Sequence, residues 1–135
     1  MPLRGGRVTR TFLDAGVLIA AATGRDPDRT FVSSTFLCLE VLPKASYYRR
    51  RNEVEFYEAF FASVVAWAEP LDRLVRTAEQ EAAKAGLALA DALHVAAAVM
   101  LDADEFVTTE RMGRAIYRVT GLRIRSIHPA ATQAD

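Results

Sequence analysis

Short apolar runs alternate with longer stretches of helical spacing along nearly the whole chain. Val8 to Leu13 is β-branched and aromatic at most positions and reads as a buried strand, which Asp14-Ala15-Gly16 turns into a helix over Val17 to Ala22. Gly24 to Arg29, with Pro27 among charges, reads as a loop. Thr30 to Ser33 is a second strand. Ser33 or Ser34 is placed to cap the helix that carries Phe36, Leu37, Leu39, Glu40 and Val41. Pro43 has no amide for the carbonyl of Leu39 and disfavours helical geometry at Leu42, so this helix is expected to kink or break just past Glu40.

Arg49 to Arg51 reads as a solvated turn before a helix from about Asn52 to Ser63, with Val54, Phe56, Tyr57, Phe60 and Phe61 at helical spacing. Val64 to Trp67 supplies a third strand. Pro70 opens a helix from Leu71 to Ala85, and Gly86 stops it. A mostly buried helix from Leu89 to about Leu101 follows, then a fourth strand from Glu105 to Thr108. Glu110 to Tyr117 reads as a short helix. Leu122 to Ile127 alternates apolar residues with arginine, as an edge strand does. Strands alternating with helices predict parallel βα units with helices on both sheet faces. The pattern shows no repeat and no second domain, so residues 1–129 are expected to form one domain and 130–135 a frayed tail.

Composition narrows the class. The chain has 135 residues, 51% of them apolar, which is enough for a core without covalent staples. Lys and Arg balance Asp and Glu at 17 each, so the global field favours neither nucleic acid nor an anionic membrane, and any basic surface must be local. Cys38, the only cysteine, excludes an internal disulfide and fits a buried thiol in a reducing cytoplasm. The N-terminal arginines before an apolar stretch resemble a secretory signal, but Asp14 is out of place in one. The stretch from Leu87 to Leu101 is too short to span a bilayer and carries Asp91 and His94, so no membrane segment is expected.

Four acids stand at the start, or on the first turns, of segments that otherwise read as core: Asp14, Glu40, Asp91 and Glu110. Burying a carboxylate in apolar company is costly unless it is paired, hydrogen-bonded or on a metal. In an open α/β sheet, ligands bind outside the carboxyl ends of the strands. Asp14 ends the first strand, Glu110 follows the fourth, and Glu40 and Asp91 lie near helix starts that can face the same rim. Converging carboxylates repel unless a cation neutralises them, and oxygen donors select Mg²⁺ or Mn²⁺. Such a site suits phosphodiester hydrolysis. Taken singly, each acid also has an ordinary role: Asp14 as a turn or cap residue, Asp91 as a helix cap, Glu110 as a helix-dipole partner, Glu40 on a solvated helix face. His94 is a neighbour of Asp91 or an ordinary hydrogen-bonded helix residue.

Four ordered motifs resemble a PIN domain of the VapC type: Leu13-Asp14-Ala15-Gly16-Val17-Leu18; Ser33-Ser34 leading into Leu39-Glu40-Val41-Leu42; Leu89-Ala90-Asp91-Ala92-Leu93-His94; and Phe106-Val107-Thr108-Thr109-Glu110. The resemblance implies a three-layer α/β/α fold with a five-stranded parallel sheet in order 3-2-1-4-5. It implies an Mg²⁺- or Mn²⁺-dependent endoribonuclease, in the setting of a toxin held by a small antitoxin. Asp14, Glu40, Asp91 and Glu110 would be its catalytic metal ligands, with Thr108 and His94 supporting them. The chain departs from the family at Ala15-Gly16, where a Thr and then Asn or Ser is common, and at Glu110, where Asp is usual.

Arg111 and Arg114, and after them Arg118, Arg123 and Arg125, follow the fourth acid closely enough to contact RNA phosphates. The aromatic residues of the third helical segment exceed what one helix face of a small domain buries, which predicts a homodimer. A receiver-like signalling domain would want adjacent acids after the first strand and a Lys near the end; a haloacid-dehalogenase-like phosphatase would want Asp where Gly16 stands. The remaining alternative is a catalytically inactive PIN-like scaffold that binds RNA or protein.

Overall fold

The structure is a computed structural model that describes residues 8–18 and 28–128. Among these, five parallel strands form one sheet: β1 (Thr9–Leu13), β2 (Arg29–Ser33), β3 (Ala66–Trp67), β4 (Glu105–Thr108) and β5 (Arg123–Ser126). Their order is β3-β2-β1-β4-β5, as the family resemblance implied. Among the described residues four complete α-helices lie between β2 and β4: α1 (Thr35–Tyr47), α2 (Arg51–Ala62), α3 (Leu71–Ala85) and α4 (Leu89–Met100). Single 3-10 turns lie at Ala15–Val17 and Ala115–Arg118.

Strand alternation divides the core between two faces. Phe12, Val32 and Phe106 point to the face covered by α3 and α4, where they meet Leu74, Ala78 and Val95. Leu13 and Val107 point to the other face, against Leu37, Ala45, Tyr57 and Phe60 of α1 and α2. These are the three layers, α/β/α. In α4 every residue from Ala92 to Ala98 is buried, and its alanines let the helix sit close against the sheet. Phe12 stacks on Phe106 at 5.3 Å across the central strand pair.

Several sequence expectations change. Pro43 does not break the second helical segment: α1 runs through it to Tyr47. Pro43 and Leu39 lie on the exposed side of α1, so the carbonyl that loses its amide partner stays open to water. Ser34 occupies the N-cap position of α1, but its hydroxyl makes no capping bond. Glu110 to Tyr117 is not a helix. The Glu110 carbonyl accepts the hydroxyls of Tyr117 and Ser126, at 2.9 and 2.8 Å, instead of a helical amide. The amide of Arg114 bonds back to Arg111, and Gly113 takes a left-handed φ of +94° that ends any helical run.

The third strand is shorter than the Val64–Trp67 run, and after Asp14 a 3-10 turn over Ala15–Val17 leads into the expected helix, which begins at Leu18. The rest of that helix, most of the loop after it and the tail at 130–135 lie outside the described residues. Gly86, at φ +71°, stops α3 as expected. Tyr57 and Phe60 are buried, and Phe56 and Phe61 pack, partly buried, against the same cluster. No single helix among the described residues is long and apolar enough to cross a membrane.

Candidate metal centre

Asp14 closes β1. Its amide bonds the carbonyl of Val107 on β4 at 3.0 Å, which carries the parallel pairing one residue past the strand and fixes the backbone at the carboxyl edge of the sheet. Both carboxylate oxygens are engaged: Oδ1 accepts the amide of Ala15 at 2.7 Å, and Oδ2 accepts the hydroxyl of Thr108 at 3.1 Å. The buried Thr108 hydroxyl in turn accepts the amide of Glu110 at 3.1 Å. One threonine therefore aims Asp14 and sets the path of the chain after β4.

The departure at Gly16 has a steric reason. A Cβ there would stand 2.6 Å from Oγ1 of Thr109, so the glycine makes room for the second threonine of the β4 end. Asp14 itself is held by Ala15 and Thr108.

Glu40 reaches the centre from α1 and His94 from α4. His94 Nε2 and Glu40 Oε1 are 2.6 Å apart. The ionised carboxylate has no proton to give, so the imidazole donates. The ring is buried, packs at 5.6 Å from Phe12, and its Nδ1 has no hydrogen-bond partner among the described residues. Glu40, with its side chain 41% exposed, is the solvent-facing member of the pair.

Potential ligand atoms of Asp14, Glu40 and His94 all lie within 4.8 Å of one another. Asp91, on the first turn of α4, stands beside this group. Burial pushes its carboxyl above the ordinary range, and Asp14, Glu110 and Glu40 push it further, with His94 acting in the opposite sense. Acids from the end of β1, from α1, from α4 and from the loop after β4 thus share one field at the carboxyl edge. The helix-cap role for Asp91 is removed, since Ala88 occupies the cap position of α4.

Glu110 follows β4 and is about as open to solvent as Glu40. Its carboxylate is 39% exposed and lies 3.6 Å from Nε of Arg114. Arg111 and Arg114 are both exposed beside it. The other arginines do not line the centre. Arg118 donates to the carbonyl of Ala85 at 3.0 Å, and Arg123 opens β5 at the opposite, amino edge. Arg125 is bound to Glu105 through Nε at 3.1 Å. Cys38 is half-buried on α1, and burial holds its thiol above the usual range, against a smaller backbone hydrogen bond.

The donor set is mostly carboxylate oxygen, with one imidazole nitrogen that is already committed to Glu40. Hard divalent cations of the Mg²⁺ or Mn²⁺ kind suit such oxygens, and one would relieve the repulsion that Asp91 feels. Sequence reasoning singled out the four acids, of which Asp14 and Glu40 fall in the 4.8 Å group with His94. It missed the direct Glu40–His94 contact, which joins residues 54 positions apart.

No family model matches the sequence, and no curated protein matches it. Solved structures do. VapBC2 from Rickettsia felis, bound to a DNA fragment from its promoter, aligns with a TM-score of 0.64 over 87% of this chain and 98% of the other, at 13% identity. The fold is PIN-like. DNA-bound VapBC from Salmonella typhimurium aligns at a TM-score of 0.61, 15% identity, 88% of this chain and 98% of the other. VapBC-1 from nontypeable Haemophilus influenzae aligns at 0.60 and 14%, with 87% and 98% covered. At these identities the likeness speaks for the fold, which is the VapC-type PIN fold that the sequence motifs resemble.

Proposed function

We propose that this chain is a metal-dependent endoribonuclease, the toxin of a toxin–antitoxin pair, with a small antitoxin as its partner. The observation that carries the reading is the convergence of Asp14, Glu40 and His94 within 4.8 Å, with Asp91 in the same repulsive field, at the carboxyl edge of a PIN-like sheet. The toxin–antitoxin assemblies that share the fold support the setting. The single cysteine fits a reducing cytoplasm.

Asp14, Glu40, Asp91 and Glu110 would hold the cation. A bound Mg²⁺ or Mn²⁺ supplies a water of lowered pKa and a polarised phosphate. The remaining work falls to the protein. Thr108 holds Asp14 in its rotamer, and His94 holds Glu40 against the inward side of α1. Arg111 and Arg114 offer guanidinium groups to the flanking phosphates, in the bidentate fashion that suits phosphate oxygens.

RNA digestion with Mg²⁺ or Mn²⁺, with chelator, and with Asp14→Asn tests the reading. Cleavage that appears with metal and is lost under both treatments is expected; cleavage that survives both sinks it. The second reading, an inactive scaffold, is favoured only by the pairing of Glu110 with Arg114. Titration calorimetry separates the two, since a scaffold without a metal site shows no heat of Mg²⁺ or Mn²⁺ binding.

A further inference from the structure

Away from the acids, the turn between α1 and α2 gathers Tyr47, Tyr48 and three arginines, all of them exposed. From Lys44 to Arg51 the chain carries four basic residues and no acidic one, in a protein whose net charge is zero. Tyr47 is 79% exposed and Tyr48 58%. The two rings meet at right angles with centroids 5.0 Å apart, and the Arg50 guanidinium lies 5.4 Å from the Tyr48 centroid. Glu53 holds Arg50 from α2 at 3.7 Å. These contacts form a chain of supports from Glu53 through Arg50 and Tyr48 to Tyr47, so the most exposed ring is braced rather than loose. Perpendicular rings present one stacking platform, not two parallel ones.

Helix geometry links this platform to the acidic centre. Glu40, Lys44 and Tyr47 follow one another at i, i+4 and i+7 on α1, so they share a face, and Tyr47 lies about 10 Å further along the axis than Glu40. A cation stands between an acid at the centre and an aromatic ring at the far end. Basic side chains that track a backbone, interleaved with aromatic faces for bases, form the surface that single-stranded nucleic acid binds.

We propose that this face of α1 is the track along which single-stranded RNA runs from the acidic centre, with phosphates on Lys44 and the turn arginines and one base stacked on Tyr47. The inference rests on the ribonuclease reading. Paired bases do not offer a free face to the ring, so the track selects single strands over duplex.

The test is fluorescence anisotropy of the full chain in EDTA, which prevents metal-dependent cleavage, with a labelled 12-nucleotide oligouridine and an RNA duplex of equal length. Tyr47→Ala should weaken oligouridine binding roughly fivefold or more, the loss expected for one base–aromatic stack. Tyr47→Phe should bind as the wild type does, and duplex affinity should not change in either variant. Unaltered thermal melts would show that the exposed ring is not a folding element. Oligouridine affinity untouched by Tyr47→Ala overturns the track and leaves the platform to a protein partner. Equal wild-type affinity for duplex overturns the stacking argument. Cleavage without the Tyr47 effect sinks the track alone, whereas the Tyr47 effect without cleavage sinks the enzyme alone.

Discussion

Glu40 and His94 are 54 positions apart in sequence and 2.6 Å apart in the structure, and this bond ties α1 to α4 across the carboxyl edge of the sheet. The buried imidazole donates and the half-exposed carboxylate accepts, so His94 acts as a fixed post for a side chain that would otherwise be free to swing into solvent.

The two residues should therefore behave as a unit in catalysis. His94→Gln keeps a polar side chain of similar length but not the imidazole geometry, and should lower RNA cleavage about 10- to 100-fold. Glu40→Gln should lose more, and the double variant no more than Glu40→Gln alone. Cleavage rates with matched melts measure this. Additive losses would mean that the hydrogen bond does not position Glu40.

A second expectation concerns Glu105, which opens β4 and is almost fully buried. It accepts Thr11 Oγ1 at 2.7 Å and Arg125 Nε at 3.1 Å, and Arg29 lies 3.2 Å away. Burial alone, the largest influence, would raise its pKa, but the hydrogen bonds from Arg125 and Thr11 and the charges of Arg125 and Arg29 together hold it below the ordinary value. With the folded pKa depressed, its stabilisation is present above the unfolded value and is lost as pH falls through the folded one. Glu105→Ala should cost about 3 kcal/mol at neutral pH, the low end for a broken buried pair because both guanidiniums are a third exposed. The cost should shrink in acid. A urea titration at pH 7 and pH 3 checks both, and an equal cost at the two values would contradict the account.

Much of this architecture could be read from the chain, for identifiable reasons. The boundaries of β4 and α3 follow from apolar runs with clear stops such as Gly86, and the four acids stood out because carboxylates in apolar segments need a compensating partner. Contacts made only in three dimensions were hidden. Nothing local marks Glu105 as buried between two arginines, since an acid at the start of a strand is equally at home in water. The hydroxyls of Tyr117 and Ser126 remove Glu110 from a helix that its own neighbours permit, and Pro43 was over-read because the exposure of its side of α1 could not be seen. The strand order came from family resemblance, because periodicity identifies strands without ordering them.

Gly16 and Thr109 supply a third test. A methyl group at position 16 would approach Thr109 Oγ1 to 2.6 Å, with Cγ2 at 3.3 Å and Cβ at 3.5 Å behind it, so rotating the threonine relieves only part of the contact. Gly16→Ala should lower stability by about 1–2 kcal/mol, and adding Thr109→Ala should restore most of it. Chemical denaturation of the three variants measures the coupling. A tolerated Gly16→Ala, or no rescue by Thr109→Ala, would place the constraint elsewhere.

Asp91 supplies the final test, because its carboxyl is the one whose pKa the centre raises. Burial contributes most, then Asp14, then Glu110, with Glu40 adding and His94 opposing. A raised carboxyl pKa means that the folded state holds the proton more tightly than the unfolded chain does. Its stabilisation is complete below the unfolded pKa, about 4, and is lost as pH rises through the folded value, which leaves a deficit at neutral pH. Asp91→Asn removes the charge and keeps the shape. In chelator at pH 7 it should melt at or above the wild-type temperature, and this advantage should vanish below about pH 4. Millimolar Mg²⁺ or Mn²⁺ should reverse the order: at roughly 100-fold excess over Kd the wild type gains about 2.7 kcal/mol, whereas the variant, with one ligand weakened, gains less. A wild type indifferent to metal, or a variant that melts far below it in chelator, would show that Asp91 holds the fold rather than a cation.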